Sequence, residues 1–172
     1  LKDSGVDFSV TMVGEAAIDS DIRYLSSLKL KIKSLKIEQN FSFIGKVEHR
    51  NLPRYYQSHD IFVHLSKTGS LDKVILEAMA CGMPVVITIF GGQIDYVNIN
   101  NGWLISGELK EVEHEVQYEG IRWLQPSLQE LKATLRHIYE NKHEIEIKGN
   151  KALETAKKMT WDESGKKVIE LI

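Results

Sequence analysis

Twenty consecutive residues, Thr68 to Ile87, restrict this chain more than any other part of it. They read Thr-Gly-Ser-Leu-Asp-Lys-Val-Ile-Leu-Glu-Ala-Met-Ala-Cys-Gly-Met-Pro-Val-Val-Ile, and a Gly91-Gly92 pair follows soon after. Leu71, Val74, Ile75, Ala78 and Met79 recur at helical spacing and predict one apolar stripe. Ser70, Lys73 and Glu77 fall together on another face. Ser70 is the expected N-cap. Gly82 followed by Pro84 marks the helix end, because neither residue continues a helix. A β-branched run then predicts a buried strand. Such a unit aims free helix N–H groups and a positive dipole end into a loop that suits an anion. In a parallel sheet, the Gly91-Gly92 loop after the next strand lies on that same edge.

The rest of the chain alternates in kind. Val6–Val13 predicts a strand ended by Gly14, and Phe41–Gly45 and Ile61–Leu65 predict two more. Between the first two lies a helix from Asp19 or Ser20, either of which can cap it, to about Leu35. Ile22, Leu25, Leu28, Leu30, Ile32 and Leu35 give it a broad apolar face. Asn51 is a candidate cap for a short helix through Tyr55 and Tyr56, with Pro53 in its first turn. Pro84–Ile89 predicts the strand after the central helix, and Trp103–Ser106 a last one beyond the Asn101-Gly102 turn. Strands alternating with helices predict βαβ units: an α/β chain with a mostly parallel sheet covered on both faces. Residues 107–122 are polar, carry five Glu and show no period, which predicts a surface insertion or irregular hairpin. Pro126 is expected to open a helix to about Asn141. Glu144–Lys158 and Trp161–Ile172 are expected to form two more, with Trp161 packed back on the domain. The length fits a single domain over 1–172.

Bulk properties exclude several function classes. A formal charge of −2 gives no field to attract nucleic acid or an anionic membrane. No apolar run approaches the ~18 residues that span a bilayer. The single cysteine forms no internal disulfide and reads as a small buried helix residue. Six histidines show no metal-ligand spacing, so no metal site is expected. Asp19 and Asp21 read as helix-start acids rather than metal ligands. Asn40-Phe-Ser42 matches a glycosylation sequon by chance, at the start of an apolar strand. His64, Trp103, Tyr55 and Tyr56 read as core residues. With Leu1 in place of an initiator Met and no signal pattern, the chain is expected to be part of a longer, cytoplasmic protein.

Leu76-Glu-Ala-Met-Ala-Cys-Gly-Met-Pro-Val-Val86, Gly91-Gly92 and Asn101-Gly102-Trp-Leu-Ile105 together resemble the C-terminal half of a GT-B-fold glycosyltransferase of family 4. Val13-Gly14, Phe43-Ile-Gly45, Leu52 to Tyr56, Asp60-Ile-Phe-Val63, Ser66 and Trp161-Asp162 support it in order. The resemblance implies a Rossmann-like domain that binds a nucleoside-diphosphate sugar and uses no metal or cofactor. It implies a separate N-terminal half for a glycan or lipid-linked acceptor, transfer with retained configuration, and an inactive isolated fragment. Through that missing half the protein would sit peripherally at the inner membrane face.

Residue by residue, Glu77 matches the second glutamate of the family's E-x7-E motif and implies a ribose contact. Phe43, Gly45, Lys46 and Val47 match the segment lining the base pocket. Gly91 and Gly92 match the loop near sugar and diphosphate, and Gly14 the glycine after the first strand. One departure is plain: Gly69 stands where the family has its first glutamate, and Ser70-Leu71-Asp72 replaces Gly-Phe-Gly. A substituted site remains open there, with Lys73 and the N–H groups through Val74 at the diphosphate and Asp72 at a sugar hydroxyl. The Arg and Lys that clamp the diphosphate in the family have no match in this sequence, and a place upstream of Leu1 stays open for them. Two alternatives stand beside transfer: a sugar-nucleotide epimerase of the same fold, and a non-catalytic scaffold.

Overall fold

The computed structural model describes residues 5–67, 71–111, 120 and 122–170. The chain forms two compact units, Leu1–Leu52 and Pro53–Ile172.

The first unit pairs two parallel strands, β1 (Val10–Val13) and β2 (Phe41–Gly45), joined by helix α1 (Asp19–Ser34). β1 is shorter than its apolar alternation predicts, and β2 has the predicted bounds. Register runs Val10↔Phe41 to Met12↔Phe43 and then slips, so Val13 faces Gly45. The slip is a bulge, and both strands leave the sheet there. Ile18, not Asp19 or Ser20, holds the N-cap position of α1, without a side-chain bond. Asp19 and Asp21 lie in its first turn, where they favour the dipole. Of the predicted apolar face only Ile32 is buried, while Ile22, Leu30 and Leu35 are exposed. The Asn40 amide of the sequon donates to the Phe8 carbonyl at 2.6 Å.

The second unit holds the core. Helix α2 (Leu52–Gln57), which belongs to this unit from Pro53 onward, follows a 3-10 turn over His49–Asn51, so Asn51 lies in that turn. The sheet has β3 (Phe62–His64), β4 (Val85–Thr88) and β5 (Gly102–Ile105), all parallel, with β4 central. All four β4 residues are buried, as expected of a strand covered on both faces. Val85 and Ile87 pack with Ile75, Ala78 and Met79 of α3 (Lys73–Ala80) and with Ala152 of α5 (His143–Ala156). Val86 points the other way, with Trp103 and Ile105, onto Ile138 of α4 (Leu128–Glu140). Alternation along one strand thus assigns α3 and α5 to one face and α4 to the other.

α3 starts later than predicted. Ser70 lies outside the described residues, and Asp72 occupies the N-cap position. Leu71 precedes the helix and is 53% exposed, and Val74 is exposed too, so the buried stripe is Ile75, Ala78 and Met79. The end matches the prediction: Gly82 has φ +76°, its N–H bonds the Met79 carbonyl at 3.0 Å, and Met83 N–H bonds Ala78 at 3.1 Å. This is a Schellman closure, which needs the left-handed residue that glycine supplies.

After β5 an antiparallel hairpin, β6 (Gly107–Glu111) and β7 (Arg122–Pro126), forms the predicted excursion, with a regular base from Gly107↔Pro126 to Glu111↔Arg122. Pro126 ends β7 rather than opening α4. Ser127 caps that helix, its hydroxyl accepting from Glu130 N at 3.2 Å. The Glu130 carboxylate accepts from the Ser106 N–H at 2.8 Å and from the Ser106 hydroxyl, locking α4 to the end of β5. α6 (Trp161–Glu170) stands on the surface. Trp161 does not pack back on the domain: it is 84% exposed, and the α6 residues Val168 and Ile169 are exposed as well.

Candidate functional site

The candidate residues lie at the C-terminal ends of the parallel strands, the edge where open α/β sheets bind ligands. They divide between the two units.

In the first unit the structure brings Gly14 and Gly45 together: Gly14 N–H donates to the Gly45 carbonyl at 2.9 Å. Phe43 is half-buried, stacks on Phe41 at 6.4 Å between centroids, and carries the Lys29 ammonium 5.0 Å above its ring. Lys46 is exposed and stands 3.8 Å from Glu15, with Val47 half-buried beside it.

In the second unit three connections converge on α3. Glu77, one turn into the helix, is half-buried, and the Tyr56 hydroxyl donates to its Oε2 at 3.1 Å. Burial first, then the charge and hydrogen bond of Glu77, push the Tyr56 phenol well above the usual tyrosine range. The phenol is therefore a fixed donor that orients the carboxylate. Burial and the same charge raise the Cys81 thiol, so this half-buried cysteine is a poor nucleophile. Lys73 reaches outward, its ammonium 5.8 Å from the Trp161 ring centroid.

The second connection runs from β3. His64 Nε2 lies 3.0 Å from Asp72 Oδ2. The carboxylate accepts, so Nε2 carries the proton. An aspartate at this position ordinarily caps its helix, worth about 1 kcal/mol. Asp72 makes no such bond.

The third connection comes from the double-glycine loop. Gly91 takes φ +86° and ψ −165°, a backbone shape closed to residues with a Cβ. Gly92–Asp95 forms a 3-10 turn directly after it, ending at Tyr96. Tyr96 is buried, and its hydroxyl donates to the Asp72 carbonyl at 3.4 Å. Burial, with the Asp72 charge adding to it, pushes this phenol up to about 12. The Asn101 amide holds the Tyr96 carbonyl at 2.8 Å from behind. The start of α3 and the glycine turn are thus one bonded assembly. Gln93 in that turn is fully buried, with neither amide atom partnered among the described residues.

Gly69 and Ser70 lie outside the described residues. Leu71, Asp72, Lys73, Val74 and Glu77 share the first two turns of the α3 region, and Gly91 and Gly92 join them through Tyr96. Sequence reasoning did not place Tyr56, His64 or Tyr96 beside the candidate residues: Tyr56 packs against the core as expected but its hydroxyl reaches Glu77, and His64 is partly exposed and meets Asp72. One signal was available for His64, since a polar residue at the C-terminal end of a parallel strand sits at the ligand-binding edge. Among the described residues no group of three His, Cys, Asp or Glu side chains is arranged to hold a metal. No helix among them is long and apolar enough to cross a membrane.

The sequence profile of the glycosyl transferases group 1 family matches residues 1–124 of the chain. The chain belongs to that family. Mannosylfructose-phosphate synthase of Agrobacterium fabrum is 38% identical over 79 residues, covering 46% of this chain and 17% of that protein. The sulfoquinovosyl transferase of Arabidopsis thaliana is 25% identical over 169 residues, 88% of this chain and 30% of that protein. Among solved structures, Anabaena HepE in complex with UDP superposes with a TM-score of 0.73 at 23% identity, covering 95% of this chain and 40% of that one. The C-terminal domain of the group 1 family protein LpcC from Francisella tularensis gives 0.69 at 21% identity, over 89% of this chain and 70% of that one. These likenesses establish the Rossmann-like GT-B architecture for this group 1 glycosyltransferase chain. It spans 17–30% of the length of the curated relatives it matches.

Proposed function

We propose that this group 1 chain is the donor-binding, C-terminal half of a retaining family 4 glycosyltransferase. The whole protein would move a sugar from a nucleoside diphosphate to a glycan or lipid-linked acceptor held by a separate N-terminal half. One observation carries the reading: the Glu77 carboxylate is half-buried and held by the Tyr56 phenol, on a helix bonded to the Gly91-Gly92 turn. A carboxylate accepts two hydroxyl hydrogens at once, which suits a ribose diol. The turn and the N–H groups at the start of α3 suit a diphosphate, whose negative charge grows as the sugar leaves.

In this reading Phe43, Gly45, Lys46 and Val47 line the base and Gly14 admits the nucleotide closely. Gly69, Ser70, Leu71, Asp72, Lys73 and Val74 are assigned to the diphosphate and sugar, together with Gly91 and Gly92. The relatives named above are a synthase and a transferase, which favours transfer over donor epimerisation. UDP in the HepE structure and the GDP-mannose dependence in the name of a Corynebacterium glutamicum relative make both bases worth testing.

The test is calorimetric titration of the full-length protein with UDP- and GDP-sugars, beside Glu77→Gln. Micromolar binding to one series, weakened at least tenfold by the substitution, is expected. A folded protein that binds neither series refutes the reading.

A further inference from the structure

Asp72 breaks a local rule in a way that suggests purpose. Its position at the start of α3 favours a carboxylate turned back onto the helix N–H groups. The side chain makes no such bond and reaches to β3 instead, with Oδ2 3.0 Å from His64 Nε2. The His64 ring is itself fixed, lying parallel to Phe62 at 5.9 Å and 14°. The main chain of Asp72 is held from two further sides: its carbonyl accepts from Ile75 N–H at 3.0 Å and from the Tyr96 hydroxyl at 3.4 Å. Strand, helix and glycine turn all meet at this one residue. Both side chains of the pair still reach solvent, at 28% for His64 and 18% for Asp72. A carboxylate steered by a tertiary bond, at the sheet edge where ligands bind, has the character of a positioned acceptor. Local rules are broken at functional sites more than elsewhere.

Resting on the nucleotide-sugar reading above, we propose that Asp72 accepts hydroxyl hydrogens of the transferred sugar, and that His64 is the positioning residue that aims it. The pair then sets which sugar the donor carries. A site built to bond a hydroxyl discriminates strongly against a donor lacking it, because the protein acceptor is left unpaired. The bond from imidazole to carboxylate holds Asp72 in one rotamer before the donor arrives.

The experiment uses the full-length protein and calorimetry with two probes on the same base: the nucleoside diphosphate alone, and the same nucleotide carrying glucose or mannose. Asp72→Asn is expected to weaken the nucleotide-sugar about tenfold, the loss of one charge-assisted hydrogen bond, while leaving the bare nucleotide within twofold. His64→Ala should give the same split. His64→Gln, which keeps a side-chain N–H donor, should restore most of the lost affinity, as a merely structural histidine would not require. Equal weakening of both probes, or of neither, overturns the proposal. Failure of His64→Gln to recover sugar binding removes the positioning role. If the wild-type protein binds neither probe, the underlying reading falls, and this proposal with it.

Discussion

Two tyrosines brace the start of α3: Tyr56 donates to the Glu77 carboxylate and Tyr96 to the Asp72 main-chain carbonyl. Tyr56→Phe removes the phenolic donor from a half-buried carboxylate. It should cost about 1–2 kcal/mol of stability, read as a lower urea midpoint at unchanged slope. Donor affinity should fall with it, because Glu77 loses its orientation. Tyr96 predicts a pH effect of definite sign. Its phenol is raised in the folded state to about 12, against about 10 in an unfolded chain. Below pH 10 both states are protonated and the stability is unaffected. Between about 10 and 12 the unfolded state gives up the proton first, so stability falls by up to ~1.4 kcal/mol per pH unit per group. Tyr56 contributes in the same direction. Thermal melts from pH 9 to 11.5 should therefore decline, and Tyr96→Phe should make the decline shallower. An unchanged pH slope in that variant refutes the assignment. At this scale the sequence singled out Glu77 through its motif, and the structure shows that carboxylate half-buried and bonded to a phenol. Its partner was not legible: Tyr56 lies 21 positions away and meets Glu77 only through packing. His64 was hidden likewise, because an apolar strand masks a polar residue turned toward a loop.

Elements were most legible where burial and local chemistry agree. β2 has its predicted bounds, β4 lies inside its predicted apolar run, and the Gly82 stop closes α3 as its residue type requires. Boundaries failed where tertiary bonds outbid local preference. Ser70 seemed the better cap for α3 from sequence, yet the helix starts at Lys73, and the aspartate ahead of it is spent on His64. Pro126 looked like a first-turn proline, yet it pairs with Gly107, and Ser127 takes the cap. The periodic face of α1 was real in sequence, but periodicity alone does not say what covers it. The packing of α5 on α3 supplies a test against propensity. A Cβ at Gly149 would lie 2.3 Å from the Gly82 carbonyl oxygen. Gly149→Ala should raise helix propensity by roughly 0.8–1 kcal/mol. The clash should cost about 1–3 kcal/mol, and the net effect should be destabilising. A variant with a higher urea midpoint than wild type would show that α5 moves away without strain. The neighbouring exposed glycine, Gly165, meets nothing within 4 Å in α6, so Gly165→Ala should be stabilising and serves as the control.

At the scale of the molecule, the residues assigned to the nucleotide are divided between the two units, and each set is tested by itself. Positions assigned to the base, Phe43 to Val47, belong to Leu1–Leu52, and those assigned to ribose and diphosphate belong to Pro53–Ile172. A nucleoside diphosphate bound by the native state stabilises the residues that it contacts. Binding only to the native state adds about 2.7 kcal/mol at a hundredfold excess over Kd. That free energy must appear wherever the ligand's contacts are broken by opening. Hydrogen exchange of the protein with and without saturating UDP or GDP should thus slow in two separated stretches. One is the strand ends and loops after Val13 and Gly45. The other is the Gly91–Tyr96 turn with the first turn of α3. Amides of the β6 and β7 hairpin base should not change, since nothing in the reading puts the nucleotide there. Protection confined to the second unit would mean that the base is read elsewhere, and the assignment of Phe43, Gly45, Lys46 and Val47 would fail while that of Glu77 survived. Sugar transfer is a further demand: on the proposed function, the acceptor and a closed, water-poor cleft are supplied by a separate half. The 172-residue chain by itself should therefore bind the nucleotide without turning over the donor.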